Sequence, residues 1–203
     1  MNKIDIKTFF SRQKSIPILK EIACPLGVIE GKLITKEKRH ELYGHVAGGS
    51  GSIEPENYQR KMIREGTGIK ISKTNVRLNL RNNELKTVCR PNKFEDGFDY
   101  SENFDGIQEI NEKKVYINLK CVVGKGGAQT RSLREVYWFI QAQLNVLKNK
   151  ENIYFANVLD GDEAYSQMGK YNYLCCLKEY EDVKGKIYVG DLRGYFSWFR
   201  SLF

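Results

Sequence analysis

The pattern of apolar and polar residues predicts a hairpin in the middle of the chain. Apolar side chains alternate with polar ones from Ile69 to Leu80, which is the pattern of a strand buried on one face. Asn82 and Asn83 follow, and this pair predicts a tight turn. A return strand is expected over residues 85–89.

Two further strand patterns enclose the clearest helical pattern. Residues 115–123 and 153–159 predict strands, and residues 131–148 carry apolar side chains at the spacing of an amphipathic helix, which Thr130 is expected to cap. A strand, a helix and a strand in this order form a crossover, which joins parallel neighbours. The sequence therefore predicts an α/β (α+β) fold, a mixed β-sheet core flanked by helices.

The two ends of the chain carry weaker patterns. Residues 3–12 and 15–23 predict short helices. Residues 47–57, AGGSGSIEPEN, predict a loop, because small flexible residues and a proline do not favour a regular element. Residues 185–199 predict a last strand followed by an aromatic-rich helix or turn, with its aromatic side chains in the core or at a dimer contact.

Length and composition fit a single folded domain. The 203 residues are 41% hydrophobic, which is enough for a core. We expect one domain, made of an N-terminal helical and loop part over residues 1–68 and a core over residues 69–203. No stretch has the pattern of a signal peptide or a membrane span, so the expected location is the cytoplasm. Five scattered cysteines without a CxxC pair favour a reducing compartment and argue against a zinc site.

The charge points to a polyanionic partner. The formal net charge is +8, and a basic surplus on a folded domain fits nucleic acid, although solubility alone is the simpler alternative. Arg60, Lys61 and Arg64 lie in a basic segment that follows the predicted loop. The loop and this segment are either a solvated linker or a mobile arm that lines a phosphate track.

An acid, an amide and a lysine surround the predicted central strand. Asp105 precedes the strand, while Asn118 and Lys120 near its end share one face because side chains two positions apart point the same way. Phosphodiester hydrolysis needs a divalent cation, an activated water and a stabilised leaving oxygen. Carboxylates bind Mg²⁺, and a nearby lysine positions the water. A half-exposed edge strand with a solvated lysine is the alternative interpretation.

Basic residues gather where the following helix begins. Arg131 and Arg134 lie in its first turns, and Lys125 and Gln129 precede them. Backbone N–H groups at a helix start favour phosphate, so this set predicts an anion-binding helix entrance. Ordinary surface charge is the alternative. Asp160 and Asp162 favour a turn with an Asx hydrogen bond over metal ligation.

Asp105 followed by Asn118-Leu119-Lys120 resembles the active-site motif of the PD-(D/E)XK nuclease superfamily. The longer text, ENFDG through NLKCVVGKGGAQTRSLREVYWFI to YFANVLDGD, resembles bacterial type II restriction endonucleases over about residues 96–162. The resemblance implies a mixed sheet flanked by helices, Mg²⁺ dependence with Mn²⁺ as a substitute, and cleavage of double-stranded DNA. Within it, Asp105, Asn118 and Lys120 are expected to be catalytic.

The chain departs from the family pattern at two positions. Phe104 replaces a proline, and Asn118 occupies the place of the second acid, so the metal site lacks one carboxylate. Some members of the superfamily take this acid from the following helix. We therefore expect Glu135 to be a catalytic residue and metal ligand beside Asp105, with Glu102 second and Glu109 as a further rival.

The expected function is that of a type II restriction endonuclease in the bacterial cytoplasm. The expected partners are double-stranded DNA and a second copy of the chain, with no membrane and no small-molecule cofactor. The part over residues 1–68 is the candidate for further DNA contact or dimerisation. A structure-specific or repair nuclease and a non-catalytic DNA-binding module of the same fold are the alternatives.

Overall fold

The structure is a computed structural model that describes residues 28–29, 32–33, 53–88, 100–122 and 126–202. The helices predicted over residues 3–12 and 15–23 lie outside the described residues. The described strands are β1 (Val28–Ile29), β2 (Lys32–Leu33), β3 (Val76–Asn79), β4 (Glu84–Thr87), β5 (Ser101–Asn103), β6 (Gly106–Ile110), β7 (Lys113–Cys121), β8 (Ile153–Asp160) and β9 (Ile187–Gly190). The described α-helices are α1 (Ile53–Thr67), α2 (Gly127–Leu147), α3 (Asp162–Cys175) and α4 (Leu192–Arg200), and short 3₁₀ turns span Lys178–Tyr180 and Lys184–Lys186.

A mixed sheet in the order β6-β7-β8-β9 forms the centre of the fold. β6 is antiparallel to β7, whereas β7, β8 and β9 are parallel. The parallel pairs require crossovers, and α2 and α3 supply them. The predicted α/β class and the predicted parallel pairing of residues 115–123 with 153–159 are therefore confirmed.

The two faces of the central sheet are covered by different helices. On β7, Val115, Ile117 and Leu119 face a cluster built with α1 and α4. Tyr116 faces the other cluster, which includes side chains of α2, α3 and the small antiparallel sheet β4-β3-β5. The predicted alternation along this strand is confirmed, and both faces are buried because each has its own helical layer.

Aromatic side chains fill the layer beneath α4. Tyr188, Tyr195 and Trp198 are buried, with ring centroids 5.6 to 5.9 Å apart. The predicted final strand and aromatic helix are confirmed as β9 and α4. These rings lie in the core, which was one of the two places expected for them.

Two local predictions were wrong and one turn prediction was right. The loop expected over residues 47–57 is helical from Ile53 onward, because Pro55 falls in the first turn of α1, where its missing N–H is not needed. Thr130 does not cap α2, since the helix begins at Gly127 and the Thr130 N–H donates to the Gly126 carbonyl. The predicted Asn82-Asn83 turn joins β3 to β4, with Asn83 at a φ of 55°.

No α-helix in the described ranges is both long enough and apolar enough to cross a membrane.

Candidate functional site

Asp105 lies against the carboxyl end of β7. It precedes β6, and its N–H donates to the Ile117 carbonyl at 2.8 Å. The Leu119 N–H donates to Asp105 Oδ2 at 2.7 Å. Because β6 begins only at Gly106, the carboxylate takes the place of a strand partner there. The loop between β5 and β6 therefore holds this acid at the end of the central strand.

The Asp105 carboxyl is largely removed from water. Burial raises its pKa above the ordinary value of 3.8, while the Leu119 N–H and the cations Lys120 and Arg60 act in the opposite direction. A carboxyl with this balance retains a proton to a higher pH when no cation is bound. A divalent cation would favour its ionised form.

Lys120 brings a cation to the same end of β7. Its side chain is half-buried, and its charge lowers the pKa of both Asp105 and Glu56. Asp105 and Lys120, which the sequence analysis expected to lie together, are therefore within electrostatic reach of each other.

Glu56 is the second carboxyl at this point, and the sequence analysis did not identify it. Burial raises its pKa, the Asp105 charge raises it further, and Lys120 and Arg60 lower it. Glu56 is therefore within electrostatic reach of both predicted residues. It lies in the first turns of α1, which packs on the α4-covered face of the sheet and crosses the end of β7.

Arg60 follows Glu56 by one helical turn and belongs to the same cluster. Its guanidinium donates to the backbone carbonyl of Asp105. The sequence analysis expected a DNA contact from Arg60, and the structure places it against the loop that carries the candidate acid. Lys61 and Arg64, its predicted companions, are exposed on α1.

Gln59 fixes α1 on the sheet. The side chain is 1% exposed, and its Nε2 donates to Asp160 Oδ2 at 2.6 Å and to the Lys120 carbonyl at 3.2 Å. Asp160 ends β8 and also accepts from the Leu192 N–H at 3.4 Å. These contacts give Asp160 a structural role. Because Glu56 and Arg60 flank Gln59 on α1, the same contacts also hold these two residues at the end of β7.

Asn118, which was expected to be catalytic, belongs to a buried chain of amides. It is 4% exposed and donates to Asn157 Oδ1 at 3.1 Å, and Asn157 in turn donates to Gln143 Oε1 at 2.7 Å. Gln143 lies on α2, so the Asn118 side chain faces that helix. The Asn118 amide therefore links β7 to β8 directly and to α2 through Asn157.

The acids expected to replace the missing carboxylate are exposed on the surface. Glu135 is exposed on α2, and Glu102 is exposed on β5 opposite Leu78. Glu109 is exposed and forms an ion pair with Lys114 at 3.7 Å. The charges that act most strongly on Asp105 are those of Lys120 and Arg60.

The predicted helix entrance is described in part. Arg131 and Arg134 are exposed in the first turns of α2. Lys125 and the side chain of Gln129 lie outside the described residues. The two arginines are therefore open to a polyanion.

The donor set fits a hard divalent cation. Glu56 and Asp105 offer carboxylate oxygens, and Mg²⁺ is commonly held by one or two carboxylates together with waters and substrate phosphates. Among the described residues no group of three or more Asp, Glu, His or Cys side chains could hold a metal by itself. Gln59 Oε1 is buried without a hydrogen-bond partner in that same set, which leaves an acceptor for a water molecule.

The raised pKa values predict how stability depends on pH in the absence of metal. The folded-state pKa of Glu56 lies above 4.5, the ordinary value that applies to the unfolded chain. At a pH between 4.5 and the folded-state pKa, the folded chain binds more protons than the unfolded chain, so its stability falls as the pH rises. Glu56→Gln should therefore be more stable than the wild type at neutral pH. Denaturant unfolding should show this advantage shrinking as the pH falls toward 4.5. An advantage that does not change with pH would contradict the burial of this charge.

The sequence signal for Glu56 exists but is weak. Glu56, Gln59, Arg60 and Ile63 have the i, i+3, i+4, i+7 spacing of one helix face. The preceding Gly/Ser run and Pro55 conceal this helix.

Comparisons with protein-family models, with curated proteins and with solved structures find no significant match to this chain.

Proposed function

We propose that this chain is a Mg²⁺-dependent endodeoxyribonuclease that cuts double-stranded DNA at a short specific sequence, as a type II restriction endonuclease of the PD-(D/E)XK superfamily does. The observation that carries the proposal is the clustering of Glu56, Asp105 and Lys120 at the carboxyl end of β7, where hydrogen bonds from α1 to the Asp105 and Lys120 carbonyls hold that helix. Two carboxylates with a lysine beside them are the groups that metal-assisted phosphodiester hydrolysis requires.

Each residue of the cluster has a role that follows from its contacts. Glu56 and Asp105 would hold the cation, which would supply charge neutralisation at the scissile phosphate. The Leu119 N–H orients the Asp105 carboxylate, and Arg60 holds the backbone of the same residue. The Lys120 ammonium orients the attacking water and stabilises negative charge that develops beside it.

The DNA backbone is bound by exposed cations on two helices, α1 and α2. Exposed Lys61 and Arg64 on α1 and exposed Arg131 and Arg134 on α2 contact phosphates. A homodimer reads a near-palindromic site, because two-fold symmetry in the protein matches two-fold symmetry in the DNA. The enzyme acts in the bacterial cytoplasm, with Mn²⁺ able to replace Mg²⁺.

Incubation of the full chain with phage DNA tests this proposal. In the presence of Mg²⁺ it should yield discrete fragments whose sequenced ends share one short motif, and a chelator should prevent cleavage. Intact DNA in Mg²⁺ and in Mn²⁺, across phage genomes of different composition, would refute the proposal. Cutting confined to branched, mismatched or damaged DNA would identify a repair nuclease instead.

A non-catalytic DNA-binding module is the second candidate, and the engagement of Asn118 favours it. Where the superfamily motif carries an acid, this chain has a buried amide that bonds to Asn157. Such a module would bind DNA tightly with no metal-dependent cleavage. The same incubation distinguishes the two candidates when it is paired with a gel-shift assay.

A further inference from the structure

We propose that the cleft between α2 and α3 binds one nucleotide whose base carries an amino group. The cleft has a volume of about 330 Å³, which lies at the lower end of the range for small-molecule sites. One face of each helix lines it. The residues that matter are Leu133, Arg134, Tyr137, Glu163, Lys170 and Tyr171.

The cleft begins close to the candidate site. Glu163 and Ala164, in the first turn of α3, donate their N–H groups to the Val122 carbonyl at 3.1 and 3.2 Å. Val122 lies two residues beyond Lys120 on the chain. In open sheets with parallel strands, ligands bind beyond the carboxyl ends of the strands. The cleft therefore lies beside the edge of the sheet where Asp105 and Lys120 are found.

The floor of the cleft is preformed. The Tyr171 hydroxyl donates to the Leu133 carbonyl at 2.9 Å, and both residues are buried. This bond ties α3 to α2 across the bottom of the cavity. A ligand therefore enters an existing space and does not have to separate the two helices.

The interior suits an aromatic ring with a hydrogen-bond donor. Tyr137 is a half-buried wall on which a base can stack. Glu163 is 8% exposed, and its Oε1 accepts from Gln167 Nε2 at 3.1 Å. A carboxylate has about four acceptor positions, so Glu163 retains capacity for the amino group of cytosine, adenine or guanine.

The rim of the cleft suits a phosphate. Arg134 and Lys170 are exposed lining residues, and neither forms an ion pair within the described part of the chain. The base then lies between Tyr137 and Glu163, and its phosphate meets the two cations. The nucleotide is either free or an unpaired unit of DNA. Binding of a nucleotide that is part of DNA rests on the proposed nuclease function, whereas binding of a free nucleotide does not.

Calorimetric titration of the full chain with dCMP and dTMP, in a chelator, tests the site. Cytosine carries an amino group at the ring position where thymine carries a carbonyl oxygen, so dCMP should bind about tenfold more tightly. Glu163→Gln and Tyr137→Ala should each weaken dCMP binding by about tenfold. Lys170→Met, a change at an exposed residue, should weaken it as well. Glu151→Gln and Tyr173→Ala, at exposed positions outside the cleft, should leave it unchanged.

The source of the nucleotide is read from a second titration. The fluorescence of an oligonucleotide that contains 2-aminopurine should change on binding if the cleft takes a base out of the DNA stack, and Tyr137→Ala should alter that change. Binding of dCMP without any fluorescence change of the oligonucleotide assigns the cleft to a free nucleotide. The proposal is overturned if dCMP, dAMP and dGMP all fail to bind, if dTMP or inorganic phosphate binds as tightly as dCMP, or if the cleft variants behave as the controls do. Neither titration measures cleavage, so failure of the nuclease proposal is a separate result.

Discussion

Glu56→Gln is expected to reduce metal-dependent DNA cleavage by at least about a hundredfold while the chain stays folded. The amide keeps the shape of the side chain but removes the negative charge that, in the proposed mechanism, holds the cation together with Asp105. The site would then have one carboxylate, and charge on the scissile phosphate would be poorly neutralised. The rate should be measured as single-turnover nicking of a supercoiled plasmid that contains the cleavage site.

Glu65→Gln is the matched control for this change. Glu65 lies on the same helix, nine positions after Glu56, and is exposed. It should cleave at the wild-type rate. Circular dichroism should show the same helix content for both variants. Wild-type cleavage by Glu56→Gln would remove Glu56 from the mechanism.

Lys120→Ala is expected to reduce cleavage by about a hundredfold or more while DNA binding without metal persists. The ammonium lies close enough to Asp105 and Glu56 to lower the pKa of both carboxyls. Its loss removes the group that is proposed to orient the water and to stabilise developing charge. Cleavage should be followed as nicking, and binding as a gel shift in a chelator.

Lys114→Ala is the control at the other end of the same strand. Lys114 is exposed on β7 and pairs with Glu109, so its removal takes away a cation of the same kind, far along the strand from the cluster. Cleavage should be close to that of the wild type. If Lys120→Ala loses DNA binding and cleavage together, Lys120 is a DNA contact and not part of the chemistry.

The fold was predictable where apolar side chains recur at a regular spacing along the chain. Residues 115–123 alternate cleanly, and the structure shows β7 from Lys113 to Cys121. The hairpin was predictable because the Asn82-Asn83 turn has local chemistry that a sequence displays. The start of α1 was not predictable, because Pro55 and a run of small residues look like a loop unless the packing of Ile63 on the sheet is known.

The candidate site was predictable on the strand and not on the helix. Asp105 and Lys120 are 15 positions apart on one antiparallel connection, so the strand pairing brings them together. Glu56 is 49 positions before Asp105 and reaches it through the packing of α1, which Gln59 and Asp160 secure. Glu135 was favoured because some members of the superfamily take the missing acid from the helix that follows the lysine. The helix that carries it leaves its side chain exposed, a result that depends on tertiary packing.

Titration of the DNA-free chain with Mn²⁺ tests most directly which acid completes the site. The wild type should bind the ion with an affinity that increases with pH, because the carboxyls must lose protons. Asp105→Asn and Glu56→Gln should each abolish binding, and Glu135→Gln should retain it. Loss of binding in Glu135→Gln together with wild-type binding in Glu56→Gln would contradict the account.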